Sequence, residues 1–432
     1  MRHIRSIARP HVVVIGAGWA GCAAAVSAAA AGARVTLLER TDMILGTGLV
    51  GGIIKNNGRF TALEELRAMG ADLLLGAMES CVLHEGISFP GHKHASLYDV
   101  TRIEPTIREL IAAMDIDLRL RSTCIGFTQE AGWVTRAHLQ YGEVVEGHAY
   151  IDATGTAGPA ANCRTHRSGC VMCVLRCPTF GPRISPTRST GVNEAPAGLT
   201  AATSGSVEVL KESLASDIAS ELQALGHVEI PLPKTVQIDV LPHEKSCQQY
   251  SSKAFYDNLV VLHNGAAKVM VSYLPLELLR SIPGLAKAKY IDPYSAGIGN
   301  SVRFNLITPH DKALRVIGLN NLFCAGEKVG LVVGHTEAIL TGMLAGHNAV
   351  RVGLRAELLQ LPTSLMCGDF LEYVANDLKE NRSLQNKYTF SGSVYFQHAV
   401  KQGLYTVDIA AIQTRVKESG LTGIFRSRLV GS

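Results

Sequence analysis

Apolar positions follow different rules in different parts of the chain. His11 to Ile15, HVVVI, is a continuous apolar run, as a strand buried on both faces requires. An alanine- and serine-rich segment follows and closes at Gly32, which reads as a helix with a glycine C-cap, and Val35 to Leu38 is a second apolar strand. Phe60 to Leu75 has helical periodicity, and so does Thr101 to Met114, with Pro105 in its first turn. Leu118–Leu120, Thr123–Phe127, Val134–Gln140 and Val144–Tyr150 read as strands of a small meander. Between these, Cys81 to Asp99 is irregular, and His92-Lys93-His94 after Pro90-Gly91 reads as a solvated loop. Further on, 206–224 reads as an amphipathic helix. Val236–Val240, Leu259–Asn264 and Lys268–Leu274 read as strands of a second sheet, and Thr336–Arg351 as a long helix. The residues after Arg351 read as helical in part.

The first strand, helix and second strand enclose Gly16-Ala17-Gly18-Trp19-Ala20-Gly21, a complete G-x-G-x-x-G. Gly16 permits the tight turn, Gly18 lets backbone approach a pyrophosphate, and Gly21 lets helix and strand pack closely. The helix N-terminus offers unpaired N–H groups and a positive dipole end to phosphates. Glu39 ends the second strand, where a carboxylate accepts from both hydroxyls of an adenosine ribose and repels a 2′-phosphate. FAD or NAD therefore fits and NADP does not. Arg40 follows Glu39, and then Gly46, Gly48, Gly51 and Gly52 form a loop whose backbone can lie against a ligand.

The run Ile151-Asp152-Ala153-Thr154-Gly155 resembles the second signature of FAD-dependent oxidoreductases with the glutathione-reductase-type fold. Asn321 to Glu327, NLFCAGE, resembles the third, with Glu327 where that signature usually has aspartate. Three signatures in this order point to FAD rather than NAD. The expected fold class is α/β: a Rossmann-like FAD-binding domain with an inserted mixed α+β substrate domain and a short helical C-terminal tail. The boundaries expected are 1–160 and 291–352 for the FAD-binding domain, 161–290 for the insert and 353–432 for the tail.

Three stretches resemble the GidA (MnmG)/TrmFO family: GAGWAGCAAA near the start, IPGLAKAKYI at 282–291, and LFCAGEKVGLVVGHTEAILTGMLAGHNAVR at 322–351. The resemblance implies bound FAD and modification of tRNA uridines with a folate or aminomethyl carbon donor. It also implies cysteines at two places. The glycine-rich loop here, Gly46 to Gly52, has none, and Arg176-Cys177-Pro178 is similar to the family's Arg-Tyr-Cys-Pro at a shorter distance from the Ala-Thr-Gly signature. The family's large helical C-terminal domain is not expected after Arg351.

Composition adds limits. Hydrophobic content of 47% with 18% charged residues describes a globular chain, and a net charge of +4 neither demands nor excludes nucleic acid. No apolar segment has the length of a membrane span, and MRHIRSIARP lacks the apolar core of a signal peptide. The expectation is a cytoplasmic protein without a membrane partner. In that compartment ten cysteines suggest metal, redox or nucleophilic chemistry.

Four of them cluster as Cys163, Cys170, Cys173 and Cys177. They read as ligands of an iron–sulfur cluster or zinc, with His166 or Cys247 as a further ligand. After that they read as redox or nucleophilic thiols, Cys170 and Cys173 forming a C-x-x-C near Arg164, Arg167 and Arg176, and last as buried apolar fillers. Cys173 and Cys177 are the catalytic candidates, and His243 and His335 are candidate acids or bases. Lys312, Arg315 and Lys328 are candidates to stabilise a reduced flavin anion. The leading functional expectation is a FAD-dependent oxidoreductase, its flavin exchanging electrons between a small-molecule substrate or redox partner protein and the cysteine cluster. A folate- and FAD-dependent RNA uridine-modifying enzyme with Cys177 as nucleophile is the alternative. A non-catalytic flavin-binding assembly subunit is a third, and an oligomer is compatible with each.

Overall fold

Strand β1 (His11–Ile15) is buried along its whole length because it lies in the middle of a parallel sheet. The chain leaves it through the glycine turn into helix α1 (Trp19–Ala30) and returns in β2 (Arg34–Leu38), paired parallel to β1 with Val13 opposite Thr36. This computed structural model describes residues 9–155, 177–197, 206–237, 250, 252–271, 274–291, 305–380 and 387–430. After helix α2 (Gly58–Ala68) comes a hairpin of β3 (Val82–Phe89) and β4 (His92–Tyr98). Helix α3 (Ile103–Ala113) leads to β5 (Asp117–Arg119), and the meander follows as β6 (Cys124–Glu130), β7 (Trp133–Leu139) and β8 (Val144–Glu146). Strand β9 (Ala149–Asp152) then returns to the parallel sheet.

A second, antiparallel sheet contains β10 (Val207–Val209), β11 (His227–Pro231), β12 (Asn258–His263) and β13 (Ala267–Val269), in the order β10-β13-β12-β11. Helix α4 (Ser216–Leu225) precedes β11. The parallel sheet is completed by β14 (Leu322–Cys324), giving the order β14-β9-β1-β2-β5. A strand more than three hundred positions downstream thus closes the sheet begun at His11. Helix α5 (His335–Leu354) follows, and α6 (Met366–Glu380), α7 (Ser393–Lys401) and α8 (Ile409–Glu418) come after it.

Small residues decide how α5 meets α1. A Cβ on Gly342 would stand 2.1 Å from the carbonyl oxygen of Ala20, and one on Gly346 would stand 2.2 Å from that of Ala24. Alanine on α1 and glycine on α5 bring the two backbones together, and Ser27 donates across the contact to the carbonyl of Met343 at 2.8 Å. Three apolar clusters are present among the described residues. The largest joins the parallel sheet, α1, α5 and apolar residues of the C-terminal helices, including Phe370 and Tyr395. A second packs one side of the antiparallel sheet with Val209, Val261, Leu279 and Leu285, and a third joins the β3–β4 hairpin to that sheet through Phe89, Leu97, Val260 and Met270.

The structure corrects several local expectations. Residues 206–224 are not one helix: β10 pairs with β13, and α4 begins only at Ser216. Lys234–Val236 is a single helical turn, and Val236 does not begin a strand up to the last described residue, 237. Residues 81–99 hold a hairpin, whose register shifts hide the alternation of its strands. His92 is accordingly no solvated loop residue: it is buried in β4, where burial and the nearby Arg59 lower its pKa to about 3.

Two tests follow from α5. Gly346→Val must push the helices apart and should lower stability by about 1–3 kcal/mol or more, read from the urea midpoint. His347, fully buried beside Phe425, has its pKa lowered to about 3 by burial and by Arg351. The unfolded chain takes up this proton near pH 6.5 and the folded one does not, so stability falls as pH drops from 6.5 toward 3. His347→Leu should flatten the fall of the melting temperature across that window.

Candidate functional site

The C-terminal ends of β1, β2, β9 and β14 open on one cleft, where ligands of parallel α/β sheets bind. It encloses about 1730 Å³ not filled by atoms, its open mouth included. Gly16, Gly18, Trp19, Ala20, Glu39, Arg40, Gly51, Ala153, Thr154, Gly155, Gly326 and Glu327 all line it. Gly21 and Gly52 stand behind it. Gly21 touches Gly16, whose carbonyl oxygen a Cβ there would meet at 1.7 Å, and Gly52 turns with φ 75° against Asn264.

These residues can be tested against FAD. A Cβ on Gly18 would meet nothing within 4 Å, so this glycine faces open space at the N-terminus of α1, where a pyrophosphate would sit. Gly16 has φ +93° and a Cβ there would be 2.7 Å from the carbonyl oxygen of Ala153, so its glycine serves the turn and the sheet. One Glu39 oxygen accepts from Ala17 N at 2.9 Å, and the other accepts from Thr41 N at 2.9 Å and Thr41 Oγ1 at 3.0 Å. The carboxylate is thereby fixed at the cleft wall with acceptor capacity left for a ribose. The residues fit the group.

The far end of the cleft is built differently. Glycines 48 and 51 are required there by protein neighbours: a Cβ would meet Trp19 Nε1 at 2.5 Å and His335 Cε1 at 1.8 Å respectively. Tyr98 donates its hydroxyl to the carbonyl of Gly48 at 2.7 Å and lies 3.3 Å from His335 Nδ1. His335 begins α5 and packs beside Trp19. Arg59, on the cleft wall, is held by Glu337, whose carboxylate also accepts from Phe390 N at 2.7 Å. Arg183 donates to the carbonyl of Thr154 at 2.5 Å, and Arg40 to that of Gly181 at 2.9 Å.

A model of the family described as "Glucose inhibited division protein A" matches residues 11–251 and 253–356. The chain belongs to the GidA family. It is a FAD-dependent member related to MnmG and TrmFO. The tRNA uridine 5-carboxymethylaminomethyl modification enzyme MnmG of Chlorobaculum tepidum is 25% identical over 413 residues, covering 81% of this chain and 64% of that protein. The methylenetetrahydrofolate–tRNA-(uracil-5-)-methyltransferase TrmFO of Microcystis aeruginosa is 33% identical over 101 residues, 23% of this chain and 22% of its own. The fold is that of Aquifex aeolicus GidA, with a TM-score of 0.68 at 14% identity, over 96% of this chain and 74% of that one.

Within this GidA-family chain several candidates fall elsewhere than expected. Lys328 does not face the flavin cleft: it is fully buried against Glu194 at 2.5 Å and Asp152 at 3.4 Å. Lys312 pairs with Glu372 and Arg315 with Asp311, both outside the cleft. Cys163, His166, Cys170, Cys173, His243 and Cys247 lie outside the described residues. Cys177 opens a short helix, Cys177–Phe180, that leads toward Arg183. Among the described residues no group of three or more His, Cys, Asp and Glu is placed to hold a metal ion. No helix among them is long and apolar enough to cross a membrane.

Sequence reasoning missed Arg59, Ser122, Cys124, Arg183, Tyr250, Lys268 and Met270, which also line the cleft. Burial pushes the Cys124 thiol up to about 12, so it stays protonated at neutral pH. Lys268 alone carried a visible signal, a charge inside the apolar run 266–271.

The contrast between two glycines is testable. Gly18→Val should leave the melting temperature of the cofactor-free protein nearly unchanged and cut FAD retention at least about tenfold, because its side chain occupies phosphate space. Gly21→Val should instead fail to fold, as read by circular dichroism.

Proposed function

We propose that this chain is a flavoenzyme that modifies uridine in RNA, with FAD in the cleft, a folate as carbon donor and Cys177 as nucleophile. The observation that carries the reading is the FAD cradle of Gly18, Glu39 and Gly155 in a chain of the GidA family. Its relatives MnmG and TrmFO are named as tRNA uridine-modifying enzymes. The chain spans 64% of the length of the Chlorobaculum tepidum protein, so the whole activity of that protein is carried over here as a proposal.

FAD supplies two-electron hydride chemistry when bound. The rest falls to this chain. Glu39 orients the adenosine, the N-terminus of α1 holds the phosphates, and Arg183 with Arg40 forms a basic rim suited to an RNA backbone. The antiparallel sheet, inside the 161–290 insert, would receive the substrate opposite the 1–160 and 291–352 parts, with 353–432 as a helical appendage. A Cys177 thiolate adding to C6 of a uracil ring would make C5 nucleophilic toward the one-carbon unit. The position of Cys177, first residue of the short helix that leads to the cleft residue Arg183, supports this.

A second reading has its own support. The loop Gly46–Gly52 carries no thiol and is filled by contacts with Trp19 and His335. This favours an oxidoreductase that passes electrons between a small molecule or redox partner and the cysteines at 163–177.

The deciding experiment incubates the FAD-loaded protein with unmodified tRNA, methylenetetrahydrofolate and NAD(P)H, and measures uridine masses after digestion. A mass gain on uridine that Cys177→Ser abolishes is expected, with RNA binding that weakens as salt rises. Unchanged uridine and no RNA binding at low salt would remove this proposal and leave the electron-transfer reading.

A further inference from the structure

Lys268 is a lysine where the core would otherwise be apolar. It lies in β13 between buried Ala267 and Val269, is 4% exposed, and lines the flavin cleft from the antiparallel sheet. Its ammonium donates to the carbonyl oxygens of Val50 and, at 2.5 Å, Gly51. Among the described residues no carboxylate forms an ion pair with it. The nearest opposite charge, Glu208 of β10, is held by Asn264 at 3.0 Å. Burial accordingly lowers the Lys268 pKa to about 8, against the weaker opposing pull of Glu208.

A buried cation held by two carbonyl dipoles, with Glu208 across the strand pair attracting it but making no contact ion pair, is costly, and a further negative charge at the cleft would complete it. The cleft shows where that charge would come from. Glu39 and Gly18 assign the adenosine and phosphate end of an extended FAD. Its isoalloxazine ring would then lie at the opposite end, lined by Gly51, Lys268, Met270 and His335. The N-terminus of α5 adds a positive dipole end there.

We propose that Lys268 is the counter-charge of the reduced flavin. A hydride delivered by a reduced nicotinamide, which leaves oxidised, would bring the ring two electrons and one proton and leave a negative charge on its N1–C2 carbonyl side. The Lys268 ammonium stabilises that charge while keeping its own proton. This role rests on FAD occupying the cleft and is independent of the RNA reading. The competing account is a purely structural latch, in which Lys268 only ties the glycine loop to the antiparallel sheet.

Sulfite separates the two accounts. Its sulfur adds to the flavin N5 with an electron pair, bleaches the visible bands and places the same negative charge on the ring, without any turnover. The charged and titratable groups near Lys268 are Glu208 of β10, Tyr98 of β4, and Arg59 and His335 on the cleft wall. FAD-loaded Lys268→Met should bind sulfite roughly 10- to 100-fold more weakly than the parent, and Lys268→Arg within about threefold of it. In the parent, affinity referred to the sulfite dianion should fall as pH rises past about 8, where the ammonium loses its proton. The Met variant should show no such break.

Retained flavin bands with unchanged sulfite affinity in Lys268→Met would overturn the proposal and leave the latch. A parent protein without the pH break would overturn it as well, and that measurement stands even if the variant does not fold. Failure of the parent to take up FAD at all would remove the cofactor assignment of the cleft, and this proposal with it.

Discussion

Lys328 has no solvent exposure, and its ammonium lies 2.5 Å from Glu194 and 3.4 Å from Asp152, both buried as well. Asp152 ends β9, and its other oxygen accepts from Thr154 N at 3.1 Å and Thr154 Oγ1 at 2.7 Å. Lys328 directly follows Glu327. One buried triad therefore fixes both the loop after β9 and the loop after β14, which carry Ala153–Gly155 and Gly326–Glu327 to the cleft. Burial by itself would raise the Asp152 pKa, but Lys328 with the Thr187 and Thr154 hydroxyls holds it below the ordinary value. Two carboxylates and one ammonium leave a residual negative charge, which Ser185 and Thr308 share through hydrogen bonds to Glu194. Removing one partner from such a group costs about 3–5 kcal/mol, so the cleft floor is fixed before any ligand arrives.

The same triad explains one limit of the sequence reading. Lys328 next to Glu327 looked like a flavin-facing charge because sequence shows adjacency, and its partners at 152 and 194 are remote. What was legible was local or strictly patterned. HVVVI, the glycine turn and Glu39 form one continuous βαβ unit, and LFCAGE announces its strand by apolar continuity. The hairpin at 82–98 was not legible because its register shifts break the period of two that identifies a strand. Residues 206–224 misled for a related reason: β10 is three residues long and is defined by remote partners, β13 on one side and Tyr290 on the other.

Glycine carried more than one meaning. Gly18 faces ligand space, whereas Gly21, Gly342 and Gly346 let backbones meet, and Gly48 and Gly51 make room for Trp19 and His335. The loop at 46–52 was read as a surface against which a ligand lies. Its composition follows at least as much from the side chains packed on it. That distinction bears on the departure of this chain from its family. A side chain at Gly48 or Gly51 would have to share space that Trp19 and His335 already fill, respectively.

The buried cations around the cleft then divide into two kinds. Arg59 is matched by Glu337, which is in turn saturated by Thr389 and Phe390 N, and Lys328 is matched by Asp152 and Glu194. Those charges are neutralised within the protein and stabilise the fold whatever the cleft contains. Lys268 donates to carbonyl oxygens, has Glu208 across the strand pair but no contact ion pair among the described residues, and reaches the same wall from a different sheet. Its electrostatic energy therefore depends on the ligand in a way that theirs does not. A ligand that gains negative charge during its reaction is favoured there over one that does not, and Lys268 is the charge that the antiparallel sheet brings to that wall among the described residues.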